Sequence, residues 1–97
     1  MQEEEKVPKL SMKDLVVLFF ESVAARCWAR LGLTKDEYGE MRQDLNEARL
    51  GIDVLDSILK TIAQDVDQEI YKELEAVVAN LKLNYVNQYK KSKEAQK

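Results

Sequence analysis

Leu45, Ala48, Ile52, Leu55, Leu59 and Ile62 follow one another at spacings of 3, 4, 3, 4 and 3 residues. This unbroken heptad seam constrains the chain more than any other feature. It puts six apolar side chains on one stripe of an α-helix and has no counterpart on a strand. Met41 and Val66 extend the spacing at either end, while Glu47, Arg49, Asp53, Asp56 and Lys60 fill the opposite face. Arg49–Asp53 and Asp56–Lys60 stand four apart, where each pair adds roughly 0.2–0.5 kcal/mol to an isolated helix. Gly51 costs this helix about 1 kcal/mol relative to alanine, and its missing side chain allows a neighbouring helix to come close.

A second seam follows, made of Val66, Ile70, Leu74 (or Glu73), Val77, Leu81, Tyr85 and Tyr89, with Val78 and Val86 widening it. Asp65, with Gln68 in the reciprocal position, predicts the cap of this helix. Only two or three residues then separate the two helices, so they fold back as an antiparallel, coiled-coil-like hairpin. Ahead of them, Ser11 with Asp14 reads as a capping box, and Leu10 with Leu15 as a hydrophobic staple. That helix runs from Met12 to Leu31 and stops at Gly32, which can take the left-handed conformation. The polar stretch from Leu33 to Gln43 reads as a loop.

The expected fold is therefore all-α. A helix 2–helix 3 hairpin packs on an apolar helix 1, and oligomerisation completes the core. Residues 1–10 form a flexible acidic arm, 11–90 a single domain with helices at about 12–31, 42–63 and 66–90, and 91–97 a basic disordered tail. One proline and three glycines among 97 residues are too few breakers for an all-β alternative. A chain of this size buries roughly 65% of its unfolded surface, enough for one modest core. With 45% hydrophobic and 34% charged residues it is neither disordered nor a membrane protein in composition.

The net charge of −3 is unevenly spread: the first ten residues sum to −1, the last eight to +3, and the body between to −5. An acidic body argues against nucleic acid, whose phosphates would repel it. The terminal lysines complement the negative end of a helix. Cys27 is the only cysteine, which excludes an internal disulfide and suits a reducing cytoplasm. The N-terminus does not read as a signal peptide. The apolar run from Leu15 to Phe20 falls far short of the ~20 residues needed to span a bilayer.

That run shapes the partner expectation. Six consecutive apolar residues cover more than one and a half turns, so they point in every direction, and Val23, Ala24, Cys27, Trp28 and Leu31 continue one face. Two neighbouring helices cannot cover such a helix on all sides. Burying its two phenylalanines is worth roughly 3–6 kcal/mol. A homo-dimer or higher oligomer is expected, with Val16, Phe19, Phe20, Val23 and Trp28 as the interface. The competing reading has the N-terminal arm (Val7, Leu10) and the 33–43 loop covering that side.

Chemically the chain is sparse. It has no histidine, which removes Ser-His and Cys-His nucleophiles, histidine bases and most zinc sites. Asp65-Val66-Asp67-Gln68-Glu69 begins like a calcium loop, but Ile70 stands where glycine is needed and Ala76 where glutamate is needed. The carboxylate pairs Asp53/Asp56 and Glu69/Glu73 read as solvated faces, and Glu21 as the edge of the apolar stripe. Ser22, Arg26 and Arg30 form a polar ridge. Its arginines contact an acidic group on a partner, or pair with acids of the second or third helix. Cys27 and the tyrosines Tyr71, Tyr85 and Tyr89 read as core or hairpin edge. No catalytic, cofactor-binding or metal-binding residue is identified.

Three stretches together carry a resemblance. They are an apolar helix ending in Leu31-Gly32-Leu33; Asp44-Leu45 followed by Ala48, Ile52-Asp53, Leu55 and Lys60-Thr61; and a last helix with Leu81 and Tyr85-Val86. Over roughly residues 12–88 the chain resembles a family of small bacterial proteins, domain of unknown function 1844. It departs from the family's turn sequence at Ala63-Gln64-Asp65-Val66. The resemblance implies a cytosolic bacterial helical protein and brings no activity with it. The expected function is thus a non-enzymatic oligomerisation and protein-interaction module, with another protein as a further partner and no membrane or nucleic acid. The alternative is a small regulator that binds an anionic ligand or nucleic acid through the Arg26/Arg30 ridge or the basic tail. A carboxylate enzyme at an oligomer interface comes last.

Overall fold

The computed structural model describes residues 9–95 as three helices, α1 (Met12–Arg30), α2 (Leu45–Ile62) and α3 (Gln68–Ala95), with no strand among the described residues. Local chemistry sets each boundary. Ser11 Oγ accepts from Asp14 N–H at 3.1 Å, and Asp14 Oδ2 accepts from Ser11 N–H at 3.2 Å, which closes the expected capping box. The end of α1 is a Schellman turn: Gly32 takes φ +83°, its N–H donates to Ala29 O, and Leu33 N–H donates to Trp28 O.

α2 begins three residues later than its apolar spacing suggests. Asp44, in extended conformation, caps it through a 3.1 Å bond from Glu47 N–H. Asp44 N–H in turn donates to Arg30 O at 2.7 Å, which draws residues 41–43 into the loop and leaves Met41 exposed. Met41 therefore does not extend the seam. α3 also starts late, at Gln68. Asp65 serves the turn, its N–H donating to Ile62 O, and the first helical bond runs from Tyr71 N–H to Asp67 O. Asp65 is not the cap.

At its far end α3 continues to Ala95, five residues beyond the expected boundary. Residues 91–95 of the expected disordered tail are helical, and 96–97 lie outside the described residues. No glycine or proline interrupts this stretch, Tyr85 stacks on Tyr89 at 6.0 Å, and Lys93 Nζ lies 5.5 Å from the Tyr89 ring. Lysines in the last turns also favour the helix C-terminus. The expected arm lies mostly in residues 1–8, outside the described residues, whereas Lys9 and Leu10 are non-helical and exposed.

Gln43, just before α2, bonds to Gln88, whereas Asp56, further along α2, meets Lys82. The α2–α3 hairpin is thus antiparallel. α1 also runs antiparallel to α2 and packs more extensively on it than on α3. Ala48, Ile52, Leu55, Leu59 and Ile62 of the heptad seam are all buried, with Leu45 partly so. Phe20, Ala24, Cys27 and Leu31 meet them from α1. From α3 come Leu74, Val78 and Leu81, flanked by partly buried Tyr71, Val77 and Tyr85. The buried stripe of α3 thus keeps Leu74, Val77, Leu81 and Tyr85 of the expected seam, with Val78 beside them, while Ile70 and Tyr89 remain substantially exposed.

Candidate functional site

Two features gather side chains beyond what packing of the core requires. The first is polar and lies where α1, the loop and α2 meet. Asp36 is buried, and its carboxylate accepts from Glu40 N–H at 2.8 Å, Tyr38 N–H at 2.9 Å and Arg42 Nε at 2.7 Å. The Glu40 N–H, then the Arg42 guanidinium and the Tyr38 N–H, hold its pKa down to about 2 against the opposing effect of burial. Arg30 donates through both terminal nitrogens to Glu37, at 2.9 and 3.3 Å, and through Nε to Glu47 at 2.7 Å. Those bonds, Glu37 foremost, raise the Arg30 guanidinium above its ordinary value and lower Glu37 below its own. Arg26 reaches the same Glu37 at 3.4 Å. Gln43 Nε2 donates to Leu31 O at 3.0 Å, which ties the loop to the end of α1.

This network answers the question posed by the Ser22-Arg26-Arg30 ridge. The arginines pair with acids of their own chain, one on α2 and one on the loop, and Ser22 Oγ bonds to Leu18 O. Arg30 is enclosed by its two acids, whereas Arg26 reaches Glu37 through Nε alone and its side chain stays 55% exposed. The loop acids Glu37 and Asp36 were not legible as partners, because no periodicity relates a loop residue to a helix face. The Asp44-x-x-Glu47 spacing, by contrast, is a sequence signal for the α2 cap.

The second feature is apolar and lies along the outer side of α1 and α2, away from α3. Phe19, Val23, Cys27, Leu50, Gly51 and Val54 line a groove of about 430 Å³, with Arg26, Arg30 and Glu47 at one end. A neighbouring groove uses Phe19 and Val54 again, with Val16, Ile58 and Ile62, and continues toward the start of α1. Phe19 is 55% and Leu50 59% exposed. Neither the loop nor Leu10 covers them, since Leu10 is itself more than half exposed and the loop is held at the other end of α1; Val7, the other expected cover, lies outside the described residues.

Of the five residues expected at an interface, Val16, Phe19 and Val23 come together on this face. Phe20 does not: it is 0% exposed, at the centre of the core. A run of six apolar residues carries no sign of which phenylalanine turns inward, and the α2 and α3 seams together select Phe20. Trp28 is partly buried on the α3 side, in a groove shared with Phe20, Leu74 and Val77. Leu50 and Val54, absent from the sequence-based interface, form a second apolar line on α2, four residues apart.

The floor of the groove is tightly made. A Cβ on Gly51 would lie 2.5 Å from Cys27 Sγ, so glycine is what lets α1 and α2 approach. Cys27 is buried, and desolvation pushes its thiol pKa up, which suits a packing residue and not a nucleophile. Among the described residues no group of three or more carboxylate or thiol side chains converges as a metal would require.

Over residues 13–87 the chain matches the family model described as Domain of unknown function (DUF1844). The chain belongs to that family. No curated protein and no solved structure matches it. The DUF1844 match takes in the apolar face from Leu15 to Ile62 and the whole loop network, and leaves out Met12 and the lysines from Lys90 onward.

Proposed function

We propose that this chain is a non-enzymatic helical module that works by docking, with the outer face of α1 and α2 as its contact surface. The observation that carries this reading is the apolar strip through Phe19, Leu50 and Val54, left open by a fold that turns Phe20, Ala24 and Cys27 of α1 into the core. Exposed strips of that kind on small proteins mark sites of association. The absence of histidine, together with a single thiol that is buried and raised in pKa, supports a role without covalent or acid–base chemistry. The same unpaired thiol supports a cytoplasmic setting. No helix among the described residues is long and apolar enough to cross a membrane.

The test is photo-crosslinking in the native host from p-benzoylphenylalanine placed at Phe19. The expected result is a discrete protein adduct, absent when the same group replaces Ala79, an exposed residue of α3. No adduct at Phe19 overturns the reading. The anion-binding alternative is disfavoured by the pairing of Arg26 and Arg30 with Glu37 and Glu47. A steeply salt-dependent association with DNA or RNA would restore it.

A further inference from the structure

We infer that the occupant of the α1–α2 face is a second copy of this chain, packed about a two-fold axis so that α1 and α2 of both copies form a four-helix bundle with α3 on the outside. The inference rests on the reading of this face as a docking surface and adds the identity of what docks.

Three observations favour a copy of the same chain. The first is pattern. On α1, Met12, Leu15 or Val16, Phe19 and Val23 recur at three- and four-residue steps, and on α2 so do Leu50, Val54 and Ile58. Each helix therefore shows a second apolar line beside the one it gives to its own core. That is the arrangement of a helix inside a bundle, which buries a wide stripe against two neighbours. Met12, 74% exposed, and Leu15 prolong the line through the first turns of α1. An antiparallel copy centred near Phe19 brings its own α1 across those turns, because Met12 and Arg26 lie equally far from Phe19, about 10 Å on either side.

The second is charge. In a two-fold contact each patch meets itself, so a face of one sign repels its own copy. Here the charges at the rim cancel within the chain, Arg26 and Arg30 against Glu37 and Glu47 at one end, and the far groove is lined by the uncharged Ser57 and Thr61. A neutral rim offers nothing to select an acidic or a basic stranger. A small ligand is also poorly served, since Ser22, Arg30 and Glu47 at the groove already have partners within the chain.

The third is size. Helices of 19 and 18 residues side by side make a footprint of about 27 by 20 Å. That is about 540 Å², just above the roughly 500 Å² per partner at which specific interfaces begin.

The experiment is molar mass by light scattering, from micromolar to near-millimolar concentration. It compares the wild type with Phe19→Glu, Leu50→Glu and, as a control on α3, Leu83→Glu, with helicity followed by circular dichroism. The expected result is a wild type at twice the chain mass. Phe19→Glu and Leu50→Glu should fall to the chain mass with helicity intact, and Leu83→Glu should remain double. A wild type at the chain mass throughout overturns the second copy. The docking reading then stands or falls separately, on whether the Phe19 crosslink yields a different protein or nothing. A double-mass wild type that Phe19→Glu and Leu50→Glu leave double also overturns the second copy at this face, with dissociation by Leu83→Glu moving the contact to α3, and the Phe19 crosslink again decides the docking reading.

Discussion

A methyl group on Gly51 collides with one atom, the Cys27 sulfur, so the contact can be dissected by mutation. Overpacking of a close contact costs roughly 1–3 kcal/mol, and alanine recovers about 1 kcal/mol in helix propensity. Gly51→Ala is expected to be less stable than wild type by up to about 2 kcal/mol. Removing the sulfur should relieve the clash, so that Gly51→Ala combined with Cys27→Ala loses less than the sum of the two single changes. Urea midpoints of the four proteins test this, and additive losses would show that Gly51 is needed for another reason. Asp36 supplies a second residue-level test. Its folded pKa of about 2 lies below the ordinary 3.8, so the unfolded chain takes up its proton first. The stabilisation is present in full above 3.8 and is lost as pH falls through about 2. Asp36→Asn should flatten the fall in stability over that window, measured as urea midpoint against pH. An unchanged profile would mean that the bonds to Glu40 and Tyr38 N–H do not persist in solution.

At the scale of the element, neighbouring phenylalanines on α1 are expected to behave in opposite ways. Phe20 is fully buried, and Phe20→Ala should cost about 3–5 kcal/mol. Phe19→Ala should leave the stability of the isolated chain within about 0.5 kcal/mol. Thermal unfolding at low concentration makes the comparison. α1 was the least legible element for the same reason: apolar on every side, it has no stripe from which to read an inward face. α2 was the most legible, because its charged face leaves the seam only one way to turn. α3 lay between the two. Two apolar lines overlap there: Leu74 and Leu81 serve the core as expected, and Tyr71 and Val78 accompany them while Ile70 stays substantially exposed. The helix start at Ser11 and stop at Gly32 were legible because capping and left-handed turns depend on short-range chemistry. The Arg30–Glu37–Glu47 and Asp36–Arg42 contacts were not, since they join a loop to helices through side chains that follow no repeat. Gly32→Ala, forced to φ near +83° with its Cβ 3.1 Å from Gln43, should lose roughly 1–2 kcal/mol, read as a lowered melting temperature.

For the molecule as a whole, the radius of gyration is 16.5 Å, against about 12.5 Å for a compact chain of this length. Three helices of unequal length, with α1 leaning mainly on α2, make an elongated body whose core is covered mostly from one side. A symmetric pair joined through apolar side chains, with rim charges already neutralised inside each chain, should respond little to ionic strength. The double mass is expected to persist from low salt to about 1 M, where the screening length has shrunk to about 3 Å. Dissociation over that range would mean that ion pairs between copies, and not Phe19, Leu50 and Val54, hold the pair together. The chain's only tryptophan adds a practical consequence. Trp28 sits against Leu74 and Val77, across α1 from the open groove. Its emission therefore reports whether α1 and α3 are closed on each other and is blind to what happens along Leu50 and Val54. The protein carries its own fluorescent gauge of folding, placed where association does not disturb it, so unfolding and dissociation can be timed separately in a single unlabelled sample.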